Sequence, residues 1–129
     1  MIRVGNKTTS KHIYLQTILR LKRAGGKVRK IDLAKELGYS KPTITNAIKR
    51  LCEEGLVAAD QENGILLTEQ GLLLAEKAAE RNDVLNHFFR SIGADETVAS
   101  ENADRIGSLL SDELFELIRQ NQKSRGIPE

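Results

Sequence analysis

The sequence predicts a mainly α-helical chain with one small β-hairpin, and three observations carry that prediction. Apolar residues recur at helical spacing over most of the chain. Helix-start and helix-stop residues stand between those stretches. Two short apolar runs flank Gln61-Glu62-Asn63-Gly64, and Asn-Gly is a strong tight-turn signal.

Taken in order, residues 1–10 read as loosely ordered. Residues 12–23 read as a helix on Ile13, Leu15, Ile18, Leu19 and Leu21, stopped by Gly25-Gly26. Val28-Arg29-Lys30 is a short extended piece. The next helix runs from Ile31 to Leu37 and is closed by Gly38. Ser40 is a good N-cap, and Pro42 stands in the first turn, where a missing N–H costs nothing. That helix runs to about Glu54. Steps of 100° put Ala47, Ile48 and Leu51 within about 60° of Ile44, with Asn46, Lys49, Arg50 and Glu53 opposite. Gly55 stops it, and residues 56–60 and 65–68 form the hairpin arms. Thr68 caps a long helix that ends at Gly93. Further helices are expected from near Asp95 to about Leu110, and from a Ser111 cap to about Gln120, followed by a frayed tail.

A short helix, a tight turn, a second helix and a hairpin make a winged helix-turn-helix, whose second helix enters a DNA major groove. Its outward residues suit that use. Lys41, Lys49 and Arg50 can neutralise phosphates, Asn46 can pair with adenine, and Ser40, Thr43 and Thr45 can reach phosphates or base edges beside Pro42. The same fold also serves protein docking without DNA. The wing tip, with Asp60 and Glu62 and no cation, is the best support for that alternative.

Charge favours DNA. Residues 1–55 hold 13 Lys and Arg against 4 Asp and Glu, a balance of +9, whereas residues 56–129 hold 7 against 14, a balance of −7. A basic half joined to an acidic half suggests that one face meets a polyanion. The 129 residues suffice for one domain or two packed subdomains, and the core must be aliphatic, with three Phe, two Tyr and no Trp. No apolar run approaches a membrane span, the N-terminus lacks a signal-peptide pattern, and a single Cys excludes an intrachain disulfide. A cytoplasmic protein without membrane partners is expected.

Little points to other chemistry. Cys52 falls at the edge of the apolar face, where a small half-buried residue is expected rather than a redox sensor. Asp83 and His87 share a helix face four apart, a spacing that can clamp a metal with further ligands but is more often a solvated or interface contact. No Ser/His/Asp arrangement, phosphate-binding glycine loop or Cys pair occurs, so no enzyme is expected.

Tyr14-Leu15-Gln16-Thr17-Ile18, Val28-Arg29-Lys30-Ile31-Asp32-Leu33-Ala34 and Ser40-Lys41-Pro42-Thr43-Ile44-Thr45 resemble the iron- and manganese-dependent repressors, the diphtheria-toxin-repressor and manganese-transport-regulator group. Leu66-Leu67-Thr68-Glu69-Gln70-Gly71 and Leu110-Ser111-Asp112-Glu113-Leu114-Phe115 extend the likeness, which spans roughly residues 12–119. The resemblance implies a winged-helix DNA-binding domain over 1–71 and a helical dimerisation domain over 72–129. Leu109, Leu110, Leu114, Phe115, Leu117 and Ile118 supply apolar surface for a homodimer. The implied partners are a second copy of the chain and a double-stranded DNA operator, and the implied activity is transcriptional regulation as a repressor.

The resemblance also implies a Mn²⁺ or Fe²⁺ switch, and here this sequence departs from the pattern. Where those proteins place an acid or Met before the Tyr and, in manganese sensors, a Glu two residues after it, Ile13 and Gln16 stand. The Arg-His pair of the long helix is Arg81-Asn82. The Glu-x-x-Glu-His stretch is Asp104-Arg105-Ile106-Gly107-Ser108. One carboxylate with two amides cannot offset dehydration of such an ion, so no metal cofactor is expected at those positions. A third reading keeps metal sensing through relocated ligands such as Asp83, His87, Glu101 or Asp104.

Overall fold

The computed structural model describes residues 7–124, with side chains from 11 to 123. The element order is α1 (Lys7–Ala24), α2 (Lys30–Leu37), α3 (Lys41–Glu53), β1 (Val57–Asp60), β2 (Gly64–Leu67), α4 (Glu69–Ser91), α5 (Glu96–Ile106) and α6 (Asp112–Ser124). The expected mainly helical architecture with one hairpin is therefore present. Among the described residues no helix is long and apolar enough to cross a membrane. Residues Lys11–Glu76 form one compact unit, and the chain from Lys77 to the end of α6 belongs to a second.

The first unit is built around aliphatic side chains. Tyr14, Leu15, Ile18 and Leu19 of α1, Leu33 of α2, and Ile44, Ile48 and Leu51 of α3 are buried together with Val28, Leu56, Val57, Ile65 and Ala75. Burying each large aliphatic side chain contributes about 1.5–3 kcal/mol, which is how a core without Trp holds three helices on a two-stranded sheet. Thr17 is tolerated in it because its hydroxyl donates to the Ile13 carbonyl at 2.7 Å. Helix α1 starts at Lys7, earlier than its apolar periodicity indicates, because Lys7-Thr8-Thr9-Ser10 carries no apolar stripe to mark a helix.

The turns follow their residues. The Ser40 hydroxyl caps α3 and lies 2.8 Å from the Thr43 hydroxyl, with Pro42 in the first turn. At the other end of α3, the Leu56 N–H donates to the Leu51 carbonyl and the Gly55 N–H to Cys52, both at 3.0 Å, and Leu51 and Leu56 are both buried.

The hairpin differs in detail from expectation. Asp60 pairs with Gly64, so Gly64 belongs to β2 and the loop is the three residues 61–63 rather than the four residues 61–64. Asp60 accepts both the backbone N–H and the side-chain amide of Asn63, which closes the loop. Gly64 at φ +75° supplies the left-handed residue such a loop requires. The extended piece before α2 lies against β2, where the Ile65 N–H donates to the Val28 carbonyl at 2.8 Å.

Entry into α4 depends on Thr68 and Gly71. The Thr68 hydroxyl donates to the Gly55 carbonyl at 2.7 Å and accepts the Gly71 N–H at 3.1 Å, while the Thr68 N–H donates to the Leu56 carbonyl at 3.0 Å. A Cβ on Gly71 would stand 1.9 Å from the Leu56 carbonyl oxygen. Only glycine lets the first turn of α4 approach this closely.

The second unit has Val84, Leu85, Ala99, Ala103 and Phe115 buried. Asp95 caps α5, accepting the Val98 N–H at 2.9 Å, and Ser111 caps α6, accepting the Leu114 N–H at 3.1 Å. Helix α5 stops at Ile106 rather than near Leu110. The buried Arg81 draws the carbonyls of Gly107 and Leu110 to its guanidinium, at 2.7 and 2.8 Å, and thus out of any helical ladder. Helix α6 continues past Gln120 to Ser124; the remainder of the expected frayed tail lies outside the described residues.

Candidate nucleic-acid interface

Helix α3 carries the predicted face. Ile44, Ile48 and Leu51 are buried on one side, while Ser40, Lys41, Pro42, Thr43, Thr45, Asn46, Lys49 and Arg50 are all exposed. The structure thus brings these eight residues to the solvent side of one capped helix. Three other cations of the unit are committed elsewhere: Lys11 pairs with Glu54, Arg20 with Glu36 and Arg23 with Glu76. Lys41, Lys49 and Arg50 form no ion pair among the described residues, which leaves their charge available to a polyanion.

Behind this face lies an aromatic pair. Tyr14 and Tyr39 sit with ring centroids 6.1 Å apart, Tyr14 buried and Tyr39 partly exposed just before the Ser40 cap. The Tyr14 hydroxyl is buried without a hydrogen-bond partner. Burial pushes its phenol above the ordinary value, Tyr39 adds to the shift, and the Arg50 cation opposes it.

At the wing tip the Asp60 carboxylate is held in its ionised form. The Asp60 carboxylate is held by the Asn63 backbone and side chain, and these bonds hold its pKa below the ordinary range. Three cations to which the sequence alone assigned no binding role, Lys27, Arg29 and Lys30, line a cleft of about 430 Å³ beside that tip. Alternation around the buried Val28 is the signal that places Lys27 and Arg29 at the surface. Cys52, expected to be half-buried, is exposed, because an 80° offset carries it beyond the apolar stripe.

The positions that the resemblance assigns to a metal fit one poorly. In the second unit, the Asn82 amide donates to the Asp104 carboxylate, so the one acid at these positions is already engaged and Asn82 adds only a neutral amide. Gly107 has no side chain and its carbonyl accepts from Arg81, a cation. Ser108 contributes a buried, unpartnered hydroxyl, a weak neutral donor. In the first unit, Ile13 is apolar and Gln16 neutral. Among the described residues no three His, Cys, Asp or Glu side chains converge into a metal-holding group, Asp83, His87, Glu101 and Asp104 included.

Residues 7–65 match the family described as iron dependent repressor, N-terminal DNA binding domain. The transcriptional regulator MntR of Escherichia coli O6:H1 is 30% identical over 113 residues, which cover 88% of this chain and 73% of that protein. The solved structure of the manganese regulator SloR shares the fold, with a TM-score of 0.82 at 23% identity, over 98% of this chain and 56% of that one. A manganese-dependent transcriptional repressor in complex with manganese gives a TM-score of 0.79 at 26% identity, over 92% and 53%. This chain therefore spans about half the length of these solved structures. Together with the capped, basic α3 and its hairpin, this shared sequence shows that the chain belongs to the iron- and manganese-dependent transcriptional repressor family.

Proposed function

We propose that this chain is a homodimeric, sequence-specific DNA-binding transcriptional repressor whose binding does not respond to metal at the family's ligand positions. The observation that carries DNA binding is the face of α3: eight exposed polar or helix-start residues, with Lys41, Lys49 and Arg50 out of any ion pair among the described residues, backed by a buried aliphatic spine. In this reading Asn46 reads base edges, Lys49 and Arg50 hold phosphates, and Ser40, Lys41, Pro42, Thr43 and Thr45 seat the helix start.

Dimerisation is assigned to the C-terminal helices, residues 72–129. Leu109, Leu114 and Leu117 are exposed there, as are Ile92 and Val98, whereas Phe115 is buried within its own unit. A second copy covering these leucines would remove apolar surface from water and repeat α3 across a twofold axis. Metal independence is supported by the donor set: one carboxylate, already bonded to an amide, with neutral or apolar residues at the other positions.

Selection of binding sites from a randomised duplex library, followed by titration of the selected duplex at two salt concentrations, tests the reading. Enrichment of a roughly palindromic site with salt-dependent affinity is expected. Failure to enrich any sequence overturns it in favour of a protein-docking winged helix. Sedimentation of the free protein tests the dimer, and a monomer at micromolar concentration removes it.

A further inference from the structure

The wing of this chain carries no cation at its tip, yet the cleft beside it is basic. Lys27, Arg29 and Lys30 line it together with Asp60 and Gln61 of the wing and Ile65. Two features fix this loop against the hairpin. The Val28 carbonyl accepts the Ile65 N–H at 2.8 Å, and Val28 itself is buried. The Lys27 stem lies directly over Gly64, where a Cβ would come within 2.6 Å of the Lys27 Cγ and 2.5 Å of the Val28 carbonyl oxygen. The cations are thus held in register with the wing rather than carried on a loose loop.

Their charge is also not consumed. Among the described residues Lys27, Arg29 and Lys30 form no ion pair. Asp60, the carboxylate that lines the cleft, is bonded to the backbone and amide of Asn63, and Lys27 lies near enough to favour its ionised form. The cleft therefore keeps a net positive charge beside a glycine position that keeps the hairpin thin.

We infer that Lys27, Arg29 and Lys30 supply the cations the wing lacks and grip backbone phosphates of the duplex flanking the groove occupied by α3. This inference rests on the DNA-binding reading above. The contact carries no base information, because phosphates are the same in every sequence. It adds to affinity and to salt dependence, and it makes the loop and wing a single clamp.

The experiment compares the intact protein with the double variant Lys27→Gln/Arg29→Gln and a charge-matched control, Lys22→Gln/Lys35→Gln, on the selected duplex and on a scrambled one. In the cleft variant the slope of log K against log salt is expected to fall in magnitude by between about 1 and 2, since each released phosphate contact contributes about 0.9. Affinity should drop equally for both duplexes, and the control should keep the wild-type slope. A conservative swap, Lys27→Arg/Arg29→Lys, should also keep it, which shows that charge and not folding is lost. A cleft variant with wild-type slope and affinity overturns the clamp while leaving α3 recognition standing. An equal loss in the control overturns it too, because net charge alone then accounts for the effect. A wild-type protein that binds no duplex overturns both readings.

Discussion

The Arg81 guanidinium donates to the Gly107 carbonyl at 2.7 Å, joining the middle of α4 to the end of α5. The same group donates to the Leu110 carbonyl, pairs with Asp112 and lies 4.9 Å from the Phe115 ring centroid, and the Arg119 guanidinium lies 5.2 Å from the same centroid. One buried cation therefore organises the turn from α5 to α6. Arg81→Ala would leave two carbonyls without their donor. We expect a loss of about 2–3 kcal/mol, read as a lower urea midpoint. Arg81→Lys should recover only part of it, because an ammonium cannot reproduce the planar fork.

Gly71→Ala is expected to destabilise the first unit by at least about 3 kcal/mol, well above an ordinary surface substitution, because the added methyl meets backbone rather than a yielding side chain. Thermal unfolding measures it. Thr68→Ala, which removes a cap and the bond to Gly55, should cost about 1–2 kcal/mol.

Tyr14 gives a pH dependence with a definite sign. Its folded pKa is raised above the ordinary 10.0, chiefly by burial. The folded state then holds the proton more tightly than the unfolded state does, so this contribution is fully present below pH 10 and is lost as pH rises through the folded value. Tyr14→Phe should abolish that alkaline loss. It should leave neutral-pH stability unchanged or higher, since the hydroxyl it removes is buried and unpartnered. A marked drop at neutral pH would show that the hydroxyl has a partner after all.

On α3, Asn46→Ala and Arg50→Ala should both weaken operator binding, but differently. Loss of an adenine contact at Asn46 should erase about 1–3 kcal/mol of discrimination between sequences, whereas loss of a phosphate contact at Arg50 should weaken all duplexes alike. Operator affinity equal to wild type in both variants would remove this face from the interface.

Metal should make no difference. With Asn82 donating to Asp104 and Arg81 already on Gly107, operator affinity is expected to be the same with Mn²⁺, Fe²⁺, Zn²⁺ or a chelator. A rise of tenfold or more with any one of these ions, about 1.4 kcal/mol of coupling, would show a site assembled from other ligands.

Much of the winged-helix half was legible in the residues themselves. Ser40, Pro42 and the spacing of Ile44, Ile48 and Leu51 specify a capped helix with one apolar side, and those are local properties. The tertiary structure alone decided the rest. The demand for glycine at 71 comes from the Leu56 carbonyl, 15 positions earlier in the chain. The end of α5 is set by Arg81, a residue of another helix. The cations at 27, 29 and 30 read as ordinary surface charge until the Val28 carbonyl is bonded to Ile65 of β2 and the loop is pinned over Gly64. Propensity and periodicity record what a residue does to its near neighbours along the chain. These contacts depend on which distant backbone atoms packing brings within reach, and no local pattern encodes that.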